Sequence, residues 1–391
     1  MQSRNIAMYK YKKKPKKIKE KLFFISTVLE TGGAETVLYN IVKELYTEYE
    51  IRVVSLGSEG DIGKKISELN IPVVGFKLNP NFPSIQSIFK LLLYTKDYNP
   101  DVIITWQYHA NFLAGLICKL SGFSNIIWSI HHSDINSKNT KLRTRIIIWI
   151  SSYLSHFVPR KIHFCSEKAL KNHVKIGFSK TKCHYIPNGF NLSKFRKNIE
   201  FQKPVKNELG VEQNSQIVGH IARFDMIKNH KLFLDMGEII LNKFSHLHLV
   251  LVGLNVDKNN ATLMQWLSES NFKNRIHLLG YRTDIPMLLN SFNICVLTSH
   301  SEAFPIILGE SMACEVPCIS TNVGDAATIL GETGIIVDSF NKEEFAKACE
   351  KLLKLNPVDL RELGVSARKR VIENYNIKNV SLEFIKFFHD C

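Results

Sequence analysis

Thirteen short apolar runs rich in β-branched residues punctuate the chain, at 22–26, 51–55, 72–76, 102–105, 126–130, 162–165, 184–186, 217–221, 247–252, 276–279, 294–298, 317–320 and 335–337. A strand that alternates apolar and polar residues has one wet face; a continuous apolar run is buried on both faces. Between most of the runs lie segments long enough for a helix, such as residues 35–46 with apolar residues at helical spacing. Strands alternating with helices predict parallel sheets covered on both sides. Seven runs precede residue 200 and six follow it, so the expectation is an α/β chain with two doubly wound, Rossmann-like domains. A polar stretch at 196–214 predicts the boundary. The expected organisation is a basic tail over 1–21, domains over 22–200 and 201–373, and a C-terminal amphipathic helix over 374–391.

Charge divides along the same line. The 391 residues carry 51 Lys+Arg and 36 Asp+Glu, a net +15. Residues 1–200 hold 31 basic and 14 acidic side chains, or +17, and residues 201–391 hold 20 and 22, or −2. The first half therefore expects an anionic partner. With 45% hydrophobic and 22% charged residues, a disordered or fibrous chain is excluded. The eight cysteines lack any CxxC or zinc-like spacing, which fits a reducing compartment. Residues 10–21 followed by the run from Leu22 imitate a secretory leader, but the run is short and Glu30 follows before any small-residue cleavage site. A cytoplasmic chain is expected.

In such sheets ligands sit outside the carboxyl ends of strands, so the segments after each run are the places to look. Residues 299–313, Ser-His-Ser-Glu-Ala-Phe-Pro-Ile-Ile-Leu-Gly-Glu-Ser-Met-Ala, follow a run directly. They put Glu302 in a loop and Glu310 inside a helix starting near Pro305. The free amides at that start suit a phosphate, and Glu310 could accept two hydrogen bonds from a vicinal diol such as ribose. Arg223 and Lys228 follow the first run of the second half and suit a diphosphate, the arginine bidentate and the lysine as a point charge. Thr31-Gly32-Gly33-Ala34-Glu35 opens a helix after the first run, where glycines admit a ligand close to the backbone. His131 and His132 end the run at 126–130.

These residues resemble glycosyltransferase family 4, of the two-domain GT-B fold. The E-x7-E pattern is met by Glu302 and Glu310 and the R-x4-K pattern by Arg223 and Lys228; Leu279-Gly280-Tyr281-Arg282-Thr283-Asp284 and Ile186-Pro187-Asn188-Gly189-Phe190 are similar phrases. The resemblance implies a C-terminal helix crossing back to the first domain and a nucleotide-sugar donor held by Gly33, Arg223, Lys228, Tyr281, Arg282, Glu302, Phe304, Pro305, Ile306 and Glu310. It implies an acceptor-side loop at Gly32, Gly33 and Glu35, with Glu302 and a cleft histidine among the catalytic residues. Arg-His-Ser phrasing in relatives favours His132; a histidine immediately after the strand favours His131. The sequence departs from the pattern at Ala303, Glu315 and Asn191, where Gly, Gly and an acid are usual. Ala303 bears on the loop that holds Glu302.

The expected reaction is transfer of a sugar from a nucleotide-sugar, UDP-linked on family grounds, with its α-configuration retained. No Asp-x-Asp occurs in the chain, so no metal or other cofactor is expected. The charge of the first half suits a membrane-associated, lipid-linked glycan acceptor in capsule, O-antigen or lipopolysaccharide assembly, with the enzyme peripheral on the inner face of the cell membrane. Residues 142–157, an apolar helix flanked by cations, suit an anionic lipid surface; a core helix with a solvated basic flank is the plainer reading. A GT-B nucleotide-sugar 2-epimerase is the nearest alternative. Nucleic acid is not expected as a partner, because it would leave the motifs of the neutral half unexplained. No Gly-x-Gly occurs, which disfavours a nicotinamide-dependent dehydrogenase.

Overall fold

A computed structural model describes residues 19–78, 84–133 and 142–389. The expected basic tail lies outside the described residues apart from its last three positions. In the first half the elements run β1 (Lys21–Ser26), α1 (Gly33–Leu45), β2 (Glu50–Ser55), α2 (Gly60–Ser67), β3 (Val73–Gly75), α3 (Ile85–Tyr98), β4 (Val102–Trp106), α4 (Tyr108–Leu120), β5 (Ile126–Ile130), α5 (Leu142–Leu154), β6 (Lys161–Phe164), α6 (Glu167–Lys175) and β7 (Cys183–Tyr185). The second half continues with α7 (Gln202–Leu209), β8 (Gln216–Ile221), α8 (His230–Lys243), β9 (Leu247–Val252), α9 (Ala261–Ser268), β10 (Ile276–Leu278), α10 (Ile285–Ser291), β11 (Ile294–Leu297), α11 (Ile306–Ala313), β12 (Cys318–Thr321), α12 (Ala326–Leu330), β13 (Ile335–Val337), α13 (Lys342–Leu353), α14 (Pro357–Tyr375) and α15 (Ile377–His389).

Each predicted run is a strand. They form two parallel sheets, ordered β3-β2-β1-β4-β5-β6-β7 and β10-β9-β8-β11-β12-β13. Strand order reverses between β1 and β4 in one sheet and between β8 and β11 in the other. Helices on both faces explain the continuous apolar runs. Phe24 of β1 packs with α1 and α2 on one side, while Phe23 and Ile25 pack with α3 and α4 on the other.

The halves are joined twice, by chain passages that lie side by side. Phe190 N–H donates to the Tyr375 carbonyl at 2.7 Å and Ile377 N–H to the Phe190 carbonyl at 3.1 Å. Past that bridge α15 returns to the first sheet, where Val380, Phe384, Phe387 and Phe388 join the core under α1. Lys161 Nζ donates to the Phe387 carbonyl at 2.8 Å. Among the described residues no helix is long and apolar enough to cross a membrane.

Candidate functional site

The two reversals of strand order place loops from both sheets against each other, and most of the predicted residues lie in or just after loops at those strand ends. After β1 the chain turns through Gly32 into α1. A Cβ on Gly32 would lie 2.2 Å from Glu35 Oε2, so only glycine lets the Glu35 carboxylate fold back over the turn. Glu35 is buried and accepts from Gln107 Nε2 at 2.6 Å. Burial lifts its pKa above the ordinary carboxylate value, opposed by its backbone and Gln107 hydrogen bonds and by Arg223. Gln107 follows β4 with φ +74°, a conformation that costs a non-glycine residue energy and marks sites where side-chain placement matters. Nothing in sequence spacing pointed to Gln107. Gly33 faces the other sheet directly: a Cβ there would meet Ile306 Cδ1 at 3.3 Å.

The two histidines after β5 part company. His131 is buried and stacked on Trp106 with ring centroids 4.3 Å apart. Its Nε2 lies 2.8 Å from Ser129 Oγ, which is 2.7 Å from His163 Nδ1, and His163 Nε2 lies 2.9 Å from the Ile186 carbonyl. A carbonyl only accepts, so Nε2 of His163 carries its proton, its Nδ1 accepts from Ser129, and Ser129 accepts from His131. Burial holds His131 well below the usual histidine range. Its ring meets Ser129, Trp106 and His163, all within the first sheet. His132 instead opens to solvent within the cleft and stacks on Tyr108 at 5.7 Å. Desolvation by the surrounding walls lowers its pKa, followed by the positive charge of Arg223; Glu302 acts the other way. The histidine that meets the charged residues of the second sheet is His132.

In the second half, Arg223 follows β8 and pairs with Asp225 at 3.1 Å. Asp225 Oδ1 accepts from Ile227 N–H at 3.0 Å, fixing the turn that delivers Lys228. Lys228 Nζ reaches Glu302 Oε1 at 2.6 Å, and Ser299 Oγ donates to the same oxygen at 2.7 Å. His300 N–H donates to the Ile227 carbonyl at 2.7 Å, and Thr298 Oγ1 to the Lys228 carbonyl at 3.1 Å. The R-x4-K and E-x7-E loops are thus one unit. Ser133, next to His132, donates across the cleft to the Glu302 carbonyl.

Pro305 occupies the N-cap position of α11, and Phe304 is buried against Phe190 and Tyr375, so its ring serves packing. Glu310, on α11, is half-buried; desolvation pushes its carboxyl up to about 7, partly offset by Lys194. Gly309 beside it is required by Phe190, whose Cε2 and Cζ would lie 2.1 Å from a Cβ. The Arg282 guanidinium is held by Asp284, at 2.6 Å, and by Glu208. Tyr281 is 48% exposed after β10.

A contact that no motif announced closes the two halves together. Asp325, after β12, is 3% exposed and accepts from Ser166 Oγ at 2.7 Å, Glu167 N–H at 2.8 Å and Lys168 N–H at 3.2 Å. A carboxylate of the second half therefore caps α6 of the first, where free amides and the helix dipole favour a negative charge. Its own N–H donates to the Ala303 carbonyl at 2.9 Å, tying the cap to the Glu302 loop.

Residues 31–194 match the family model described as Glycosyltransferase Family 4, and residues 215–355 match that of Glycosyl transferases group 1. The chain is 24% identical over 298 residues to an Escherichia coli UDP-Gal:alpha-D-GlcNAc-diphosphoundecaprenol alpha-1,3-galactosyltransferase, spanning 75% of this chain and 76% of that protein. It is 23% identical to a Campylobacter jejuni alpha-1,4-N-acetyl-D-galactosaminyltransferase acting on an undecaprenol-diphosphate-linked glycan, over 94% and 97% of the two. Among solved structures, Anabaena HepE in complex with UDP and glucose superposes with a TM-score of 0.84 at 19% identity, covering 95% of this chain and all of that one.

Proposed function

For this chain, which belongs to the family 4 glycosyltransferases and has the GT-B fold, we propose retaining transfer of a sugar from a UDP-linked donor to a lipid-linked glycan acceptor, in assembly of a surface polysaccharide. The observation that carries the reading is that Arg223 and the Lys228–Glu302 pair lie close enough to His132 to act on it electrostatically, while Ser133 beside it bonds the Glu302 carbonyl. Transfer places negative charge on the departing diphosphate. Arg223, Lys228 and the amides at the start of α11 supply positive charge at that point before the bond breaks, which is how a fixed site lowers the barrier.

Glu310 takes the ribose and Glu302, oriented by Lys228 and Ser299, takes a hydroxyl of the donor sugar. His132 contacts that sugar from the first sheet. Among the described residues no carboxylate is placed as a nucleophile, so in this reading the acceptor attacks on the face the diphosphate leaves. The basic first half and the lipid-linked substrates named for the Escherichia coli and Campylobacter relatives support an acceptor at an anionic membrane, with the enzyme on its cytoplasmic side.

A thermal-shift screen across nucleotide-sugars tests the donor half of this reading. A ligand at 100 times its Kd stabilises by about 2.7 kcal/mol, so UDP-sugars should raise Tm and Lys228→Ala should remove the rise. No rise with any nucleotide-sugar contradicts it.

A further inference from the structure

One layer of the first domain wears its apolar face outward. On α5, Leu142, Ile146, Trp149 and Tyr153 recur at helical spacing and are 70%, 48%, 74% and 69% exposed. The side chains that the same helix buries are Ile148, Ser151 and Ser152. A surface helix of a water-soluble domain has the reverse pattern. The feature is not confined to the segment the sequence singled out. On α3, Ile85, Phe89 and Leu93 repeat at every fourth position and are 84%, 56% and 52% exposed. Helix α4 packs against both and ends in Leu120, 80% exposed. Large apolar side chains exposed on neighbouring helices of one layer mark an interaction site.

Charge selects the occupant. The described residues of α3, α4 and α5 carry Lys90, Lys96, Lys119, Arg143 and Arg145 against a single acid, Asp97, which lies 3.6 Å from Arg52. A two-fold pairing of this face with a second copy would set cations against cations. Anionic headgroups complement it. Topology then places the face relative to the site. A helix following a parallel strand starts toward that strand's carboxyl end, so both stripes begin on the side of the sheet where the strand ends and His132 lie.

We propose that α3 and α5 together form the membrane-docking face, their apolar side chains entering the headgroup–acyl boundary of an anionic bilayer and their cations meeting the headgroups. This face brings the cleft mouth to the level at which a lipid-linked diphosphate emerges. The proposal rests on the lipid-linked acceptor of the preceding reading, and its test uses no acceptor, so the two can fail separately.

Full-length protein is sedimented with vesicles of phosphatidylglycerol and phosphatidylcholine, or of phosphatidylcholine alone, while tryptophan emission is followed. Trp106 and Trp128 are fully buried and Trp266 half-buried, so Trp149 is the reporter. The expected results are binding to the anionic vesicles with a blue shift that Trp149→Phe removes. Phe89→Ser/Leu93→Ser on α3 should weaken binding at least tenfold with unchanged Tm, and Lys90→Gln/Arg145→Gln by about fivefold per cation. Wild-type binding in the α3 pair, or a dimer that this pair dissolves while vesicles go unbound, would overturn the proposal.

Discussion

Lys228 Nζ lies 2.6 Å from Glu302 Oε1, joining the lysine of one motif to the first glutamate of the other across 74 residues. Both side chains are mostly buried, at 22% and 15% exposure. The pair fixes each side chain against the other, which in the proposed reading presents the lysine to the donor diphosphate. Lys228→Ala should lower kcat/KM by about 10²–10³, the usual cost of removing one preorganised charge-stabilising group. In a double-mutant cycle with Glu302→Gln the losses should fall short of additive, because the residues share one interaction. Steady-state kinetics with strictly additive losses would show that they act independently.

Burial pushes the Glu310 carboxyl up to about 7 from an ordinary 4.5. A carboxyl raised by folding binds more protons folded than unfolded, so its contribution to stability is present below 4.5 and lost as pH rises through 7. Donor binding has the opposite sign, since a ribose diol donates to the ionised form. Affinity for a UDP-sugar, whose diphosphate has no ionisation in this range, should weaken by up to about tenfold per pH unit below 7. Calorimetry on Glu310→Gln should give weaker binding without that slope.

Asp325→Ala should destabilise the protein by about 1–3 kcal/mol, read from the urea midpoint, because it strips the cap from α6 and leaves Ser166 and two amides unpaired in a buried setting. A change under 0.5 kcal/mol would show that water replaces the carboxylate without cost.

Gly309→Ala sets a methyl group 2.1 Å from the Phe190 ring. The ring or α11 has to move, at about 1–3 kcal/mol. Since Glu310 follows immediately, donor affinity should fall along with Tm. Loss of Tm with unchanged donor affinity would place Glu310 away from the ribose.

The strands were legible because burial on both faces leaves continuous apolar runs, and all thirteen predicted runs coincide with strands to within a residue or two. The loops carrying Arg223, Lys228, Glu302 and Glu310 were legible because each follows such a run. What the sequence left open depended on contacts distant along the chain. His131 and His132 are separated only by what each meets: Ser129 and Trp106 on one side, the second sheet on the other. Arg282 sits in a phrase that resembles a donor-binding one, yet Glu208, 74 residues away, holds its guanidinium. Asp325 carries no spacing signal, because the helix it caps lies about 160 residues earlier. The outward stripe on α3 has the spacing of an ordinary core helix, and only exposure distinguishes the two.

The central claim, transfer from a nucleotide-sugar with retention, is tested most directly by product stereochemistry. The full-length protein is incubated with UDP-hexoses and UDP-N-acetylhexosamines, with and without an undecaprenyl-diphosphate-linked glycan, and the new anomeric linkage is read by NMR. The account predicts an α-linked product that forms only with acceptor and is lost in Lys228→Ala. A β-linked product, or a 2-epimerised sugar released without acceptor, would contradict it.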